Sequence, residues 1–169
     1  SLKDNIKTTS KIAKITKSYQ VSLEGEVGLV GYHNGINSEG TTLFEAKKFS
    51  NESGVDAMAI SVGNTHLQTS KIAKIDYNKI KQIEKVSDIP LVLHGSSGIS
   101  YNLRKKIARN TKVAKFNIGT ELRIIAGESL KDNIKKNKKN FDRLQLIKPT
   151  IKNIKNATMK VIKNIGPKK

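Results

Sequence analysis

Cysteine and tryptophan are absent from this chain of 169 residues, and proline occurs only three times. Without cysteine there is neither a disulfide framework nor a thiolate metal site, so any metal must be held by His, Asp or Glu. The histidines are themselves few: His33, His66 and His94. No apolar run approaches the roughly 20 residues needed to cross a bilayer. The opening Ser1-Leu2-Lys3-Asp4 lacks the basic-then-apolar layout of a signal peptide. The expectation is a soluble, cytoplasmic protein. Aromatic residues make up 5% of the chain and hydrophobic residues 36%, enough for one ordinary domain with a core.

Acidic side chains are scarce as well, 14 against 32 basic ones, which leaves a formal charge of +18. Such a balance is the usual electrostatic footprint of nucleic-acid binding. Arginine, however, supplies only Arg104, Arg109, Arg123 and Arg143, and the rest is lysine. Base and phosphate recognition favours the bidentate guanidinium. Solvated lysine faces are therefore the preferred reading, with a non-specific polyanion surface kept as the competitor and specific nucleic-acid binding not expected. Attraction of a phosphorylated substrate is compatible with either.

Four units of one kind follow each other: an apolar run with β-branched residues, a polar turn, a helical pattern. That order is the mark of a parallel βα sheet. Strands are expected near Val21–Val27, Val55–Val62, Pro90–His94 and Val113–Ile118. Helices are expected near Thr42–Phe49, Tyr77–Val86, Tyr101–Asn110 and Glu121–Lys136. A first helix over Lys3–Ser18, with Ile6, Ile12, Ala13 and Ile15 as its core-facing stripe, has no strand before it. A last helix spans Pro149–Ile165, reached through a lysine- and asparagine-rich connection, Lys131 to Asn140, expected to be mobile. No linker divides these units, so residues 1–169 are expected to form a single domain. Four strands are too few to close an eight-stranded barrel of about 250 residues.

In βα folds the reactive residues gather at the C-terminal ends of strands. His66 ends the segment VDAMAISVGNTH, and His94 lies in IPLVLHGSSG. Two such histidines on neighbouring strands can converge on one point and suit zinc ligation, while a strand-end histidine standing alone is more often a hydrogen-bonded structural residue. The turn Gly95-Ser96-Ser97-Gly98 and the turn Asn117-Ile118-Gly119-Thr120 each lead from a strand into a helix, and together read as a phosphate cradle. The bland alternative is a pair of helix N-caps using Thr120 and Ser97 or Ser100. Strand alternation puts Glu24 and Glu26 on one face, either paired or metal-binding inside a barrel, or meeting solvent and lysines on an edge strand.

LHGSSG, VGNTH, FNIGTELRI and VSLEGEVG occur in the order and spacing found in class II, zinc-dependent aldolases of fructose and tagatose bisphosphate, and the chain resembles the C-terminal half of that family. The resemblance implies the last part, about strands 5 to 8, of a (β/α)8 barrel, lacking the N-terminal strands. It implies Zn2+ held by His66 and His94, with Glu26 at an alternative metal position and a third histidine on a strand outside this chain; a monovalent cation is a further ion. Gly95, Ser96, Ser97, Asn117, Ile118, Gly119 and Thr120 take the phosphate and substrate contacts, Asn117 near the enediolate, and Arg143 resembles a C-terminal phosphate-holding arginine. The family's catalytic aspartate lies beside the third histidine, also outside this chain. The activity implied is reversible cleavage of a ketose 1,6-bisphosphate, fructose or tagatose, to dihydroxyacetone phosphate and glyceraldehyde 3-phosphate.

Two departures stand out. Where the family reads GGEED, this chain has Gly31-Tyr32-His33-Asn34-Gly35, shorter and without the acid. Leu67 also replaces the glycine that usually follows the His66 position. His33 is either a substitute acid–base group or an ordinary solvated histidine. The departures favour a second reading, a non-catalytic phosphate-ligand or partner-binding remnant. The expected partners are a small sugar phosphate and either further copies of the chain or the barrel's N-terminal half; no membrane is expected.

Overall fold

Most helix starts in this chain are set by capping side chains. In the computed structural model, which describes residues 1–28, 31–32, 40–66 and 73–167 (backbone only at 31, 32, 65 and 66), Ser1 caps α1 (Leu2–Ser18) by accepting from the Asp4 amide. Thr42 and Glu45 form a reciprocal capping box at α2 (Leu43–Glu52). Asp76 accepts from the Lys79 amide to start α3 (Tyr77–Val86), and Ser100 accepts from Leu103 to start α4 (Tyr101–Asn110). Both of these last helices have the bounds their periodicity predicts. α1 differs in its stripe: Ile6 and Ala13 are buried, whereas Ile12 and Ile15 are exposed. At about 100° per residue, Ile12 and Ile15 lie well round the helix from Ala13, while Leu2, Ile6, Thr9 and Ala13 share one side.

Residues Ser1–Asn117 make one compact unit and Ile118–Lys169 another, and each is described by itself. The first holds a parallel four-stranded sheet. With β1 (Glu24–Val27), β3 (Ala57–Ile60), β5 (Leu91–Leu93) and β6 (Val113–Phe116), its order is β1-β3-β5-β6. A second, two-stranded parallel sheet pairs β2 (Gly31–Tyr32) with β4 (Thr65–His66) beyond the ends of β1 and β3, aligning Tyr32 with His66. The strands are shorter than the apolar runs, because pairing starts only at Glu24 opposite Ala57, and Val21 is exposed. The β2–β4 pair, two residues a side, has no periodicity that a sequence could show.

One face of the sheet packs on the helices. Met58, Ile60, Leu91 and Leu93 are fully buried in one core with Phe49, Ile80, Ile83 and Ile107 of α2, α3 and α4. Gly25 is on this face because a Cβ there would come within 2.8 Å of Phe49 Cζ. The outer edge of β1 is covered by α1, whose Asn5 amide donates to the Glu26 carbonyl at 2.9 Å.

The other face carries Glu24, Glu26, Ala57, Ala59, Val92 and Lys115; the register aligns Glu26 with Ala59, Ala59 with Val92, and Val92 with Lys115. In a flat sheet, three strand intervals would separate β1 from β6 by roughly 14 Å. Yet Glu24 Oε2 and Lys115 Nζ meet at 2.8 Å. The sheet is therefore concave on this side, and the alanines of β3 leave room for side chains to meet above it.

The second unit is helical: α5 (Thr120–Lys136), α6 (Arg143–Ile147) and α7 (Thr150–Ile165), with α5 packed on α7. Asn133 of α5 donates to the Leu146 carbonyl and Asn153 of α7 to Ser129 Oγ. The connection expected to begin at Lys131 is helical as far as Lys136. α6 is an addition to the sequence reading, capped by Asp142, which accepts from Leu144 and Gln145.

Candidate active site

Polar groups within β1 and β6 and beyond the C-terminal ends of β3 and β5 build the site of the first unit. His94 follows β5 and is partly buried between the two carboxylates of β1. Its Nε2 is 2.8 Å from Glu24 Oε1 and its Nδ1 is 3.1 Å from Glu26 Oε2. Glu24 also accepts from Lys115 Nζ at 2.8 Å. Burial pushes the Glu24 carboxyl upward, but the bonds from Lys115 and His94 outweigh it and hold the group below the usual glutamate range. β1 is an edge strand of the sheet, and its acidic face meets both a lysine and a histidine.

The turn after β3 is shaped by Gly63, at φ +94°, where a Cβ would lie 2.2 Å from the Lys74 carbonyl oxygen. Asn64, buried, follows it. Its side-chain oxygen accepts from the Val62 amide, and its NH2 donates to the carbonyls of Ile60 and His94 at 3.1 and 2.9 Å. Asn64 thus ties the β3 turn to the backbone of the β5 histidine. His66 stands two residues further on, its backbone in β4; its side chain, with His33, Asn34 and Leu67, lies outside the described residues.

In the Gly95–Gly98 turn both glycines have positive φ, +57° and +80°. Ser96 is fully buried: its amide donates to the Asn117 carbonyl at 3.0 Å and its hydroxyl to the Leu93 carbonyl at 2.7 Å. Ser96 therefore uses both its donors within the protein, tying the turn to β5 and β6. The Asn117 amide in turn donates to the Leu93 carbonyl. Ser100, not Ser97, is the cap of α4.

Ile118, Gly119, Thr120 and Arg143 fall in the second unit. The N-cap of α5 is Gly119, without a side-chain cap; Thr120 is the first helical residue, and its Oγ1 accepts from Arg123 at 3.0 Å. Arg123, which the motif reading passes over, thus places a guanidinium at this helix start. Arg143 is the first residue of α6, directly after the cap Asp142.

The model of the class II fructose-bisphosphate aldolases matches residues 1–169. The chain belongs to the class II fructose-bisphosphate aldolase family. It is similar to the YdjI aldolase of Escherichia coli K12, with 29% identity, a TM-score of 0.80 and coverage of 98% of this chain and 56% of that one. It is also similar in fold to the fructose-bisphosphate aldolase of Campylobacter jejuni, at 18% identity and TM-score 0.79, covering 98% of this chain and 57% of that one. The chain spans a little over half the length of these aldolases. The concave four-stranded parallel sheet is accordingly the C-terminal part of a class II aldolase (β/α)8 barrel, and the family is one of carbon–carbon lyases.

Zinc in such an aldolase needs nitrogen and oxygen donors. His94 and Glu26 fit: an imidazole Nδ1 and a carboxylate face one another at 3.1 Å on the concave side. Among the described residues no group of three His, Cys, Asp or Glu is arranged to hold a metal ion.

Proposed function

We propose that this chain supplies the metal-holding and phosphate-holding half of a zinc-dependent aldolase site that reversibly cleaves a ketose 1,6-bisphosphate, of fructose or tagatose, to dihydroxyacetone phosphate and glyceraldehyde 3-phosphate. The observation that carries the proposal is His94 poised between Glu24 and Glu26 at the C-terminal end of β5, in a chain of this family. His94 and His66 would hold Zn2+, with Glu26 as the alternative ligand. When bound, the ion supplies a Lewis acid for the ketose carbonyl.

The chain's own residues bind and orient. The Gly95–Gly98 turn, with Gly95 and Ser97 toward the ligand and Ser96 anchoring the turn, would receive a phosphate group, and Asn117 would contact the reacting carbons. Ile118, Gly119, Thr120 and Arg143 are assigned to phosphate from the second unit, where a helix N-terminus suits an anion. A monovalent cation is an optional second ion. Residues 1–169 would serve as one partial barrel domain, working in the cytoplasm with further copies or with the N-terminal half of the barrel.

A second reading, a phosphate-binding remnant without chemistry, is favoured by Leu67 in place of glycine and by the missing acid of the Gly31–Gly35 loop. Calorimetric zinc titration of the purified chain, followed by assay of dihydroxyacetone phosphate release from each bisphosphate, separates the two. One zinc per chain, lost in His94→Ala and His66→Ala, with product released once the N-terminal half of the barrel is supplied, supports the aldolase. Zinc and bisphosphate bound without product even with that half present support the remnant. A chain that binds no zinc sinks the metal reading.

A further inference from the structure

We propose that Glu24, anchored by Lys115, is a positioning residue that grips the His94 ring through Nε2 and thereby presents Nδ1 to the metal. The inference rests on the zinc reading above and adds to it the side of the ring that is used and the residues that choose it.

The two carboxylates flanking His94 are not equivalent. Glu24 has a second partner, Lys115, at 2.8 Å from its other oxygen. Its other oxygen already accepts from the Lys115 ammonium, so toward His94 the carboxylate accepts as well and Nε2 is the nitrogen that donates. Charge-assisted bonds of this kind fix ring orientation and tautomer, as carboxylates behind metal-bound imidazoles do. Glu26 contacts Nδ1 at the longer distance of 3.1 Å, is the more exposed of the two, and has only its backbone carbonyl tied, to Asn5. On that side Nδ1 and the Glu26 carboxylate would hold a metal ion at the cost of the one hydrogen bond between them, whereas use of Nε2 would break the chain from His94 through Glu24 to Lys115. Lys115 reaches Glu24 across Val92 of β5 and the small side chains of Ala57 and Ala59 on β3.

The test uses the full chain, Zn2+ alone, and the long-range ¹⁵N–¹H spectrum of its histidine rings with and without the ion. In wild type, His94 is expected to show a proton on Nε2 in both states, with Nδ1 the nitrogen that moves on zinc addition. Glu24→Gln should displace the Nε2 signal and weaken zinc binding about 10–100-fold. Lys115→Met should give a smaller loss and Lys115→Arg should restore it, which also keeps the test open should Glu24→Gln fold poorly. Zinc moving Nε2 instead, ring signals indifferent to Glu24→Gln, or unchanged zinc affinity in that variant would each overturn the proposal while leaving the zinc reading intact. Wild type that binds no zinc overturns both, even if the Glu24 grip on the ring is seen.

Discussion

Asn64 shows how much a single side chain can hold in place. Its amide closes bonds to three backbone groups, and one of them belongs to His94, thirty positions away. Asn64→Ala leaves buried polar groups without partners, each costing about 1–3 kcal/mol, so a loss of at least that size is expected in urea unfolding. Asn64→Asp should be worse, since it sets a carboxylate against the Ile60 and His94 carbonyls where an NH2 now donates. A change under about 0.5 kcal/mol for the alanine variant would show that the link bears no stress. The residue lies inside VGNTH, a motif that draws attention for its histidine; nothing in one sequence separates a buried bridging asparagine from a turn asparagine. Lys115 was hidden for a related reason. Its only signal is that it stands two positions after buried Val113 in a strand, and its partner is set by the curvature of the sheet.

Between elements, the junction of α3 with β6 hangs on another glutamate. Glu84 accepts from the Lys112 amide at 2.9 Å and pairs with Lys81 of its own helix. Burial raises the Glu84 carboxyl, but Lys81 and the Lys112 amide outweigh it and hold the group below its ordinary value. A carboxyl with a depressed folded-state pKa binds its proton more readily in the unfolded chain. Its stabilisation is therefore full above the unfolded pKa and is lost as pH falls through the folded one. Glu24 acts in the same direction. Unfolding free energy measured from neutral pH downward should fall across that acid window, and Glu84→Gln should be less stable at neutral pH with a flatter fall. Equal slopes in wild type and variant would remove Glu84 as a contributor. Elements themselves were legible in proportion to their local signals. α3 and α4 combine a capping Asp76 or Ser100 with 3.6-residue periodicity, and their ends were read correctly. α6 is a single short helix beside a lysine-asparagine stretch whose composition argues for a loop. The strands were read too long because their composition does not mark where pairing begins and ends.

Across the whole molecule, the two compact units differ in what they bury. The first has a core of fully buried Phe49, Met58, Ile60, Ile80, Ile83, Leu91, Leu93 and Ile107. α5 of the second buries no residue, and Ile134, Leu144, Ile151, Met159 and Ile162 are exposed there. Burial of apolar surface is the main favourable term in folding, and local opening follows where it is thin. Amide exchange should therefore be unequal along the chain. The amides of β3 and β5 are expected to open only with global unfolding, and those of α5–α7 through a smaller, denaturant-insensitive opening several kcal/mol below it. Native-state hydrogen exchange followed by mass spectrometry, read against low concentrations of urea, measures both. If the helical unit exchanged as slowly as β3 and β5, something would have to cover its exposed isoleucines, and a concentration dependence of that protection would identify another copy of the chain as the cover. If it exchanges early, the Gly119–Arg123 helix start opens with it, and the phosphate contact proposed for Gly119 and Thr120 would have to order that start. Inorganic phosphate should then slow exchange in α5 while leaving β3 and β5 unchanged.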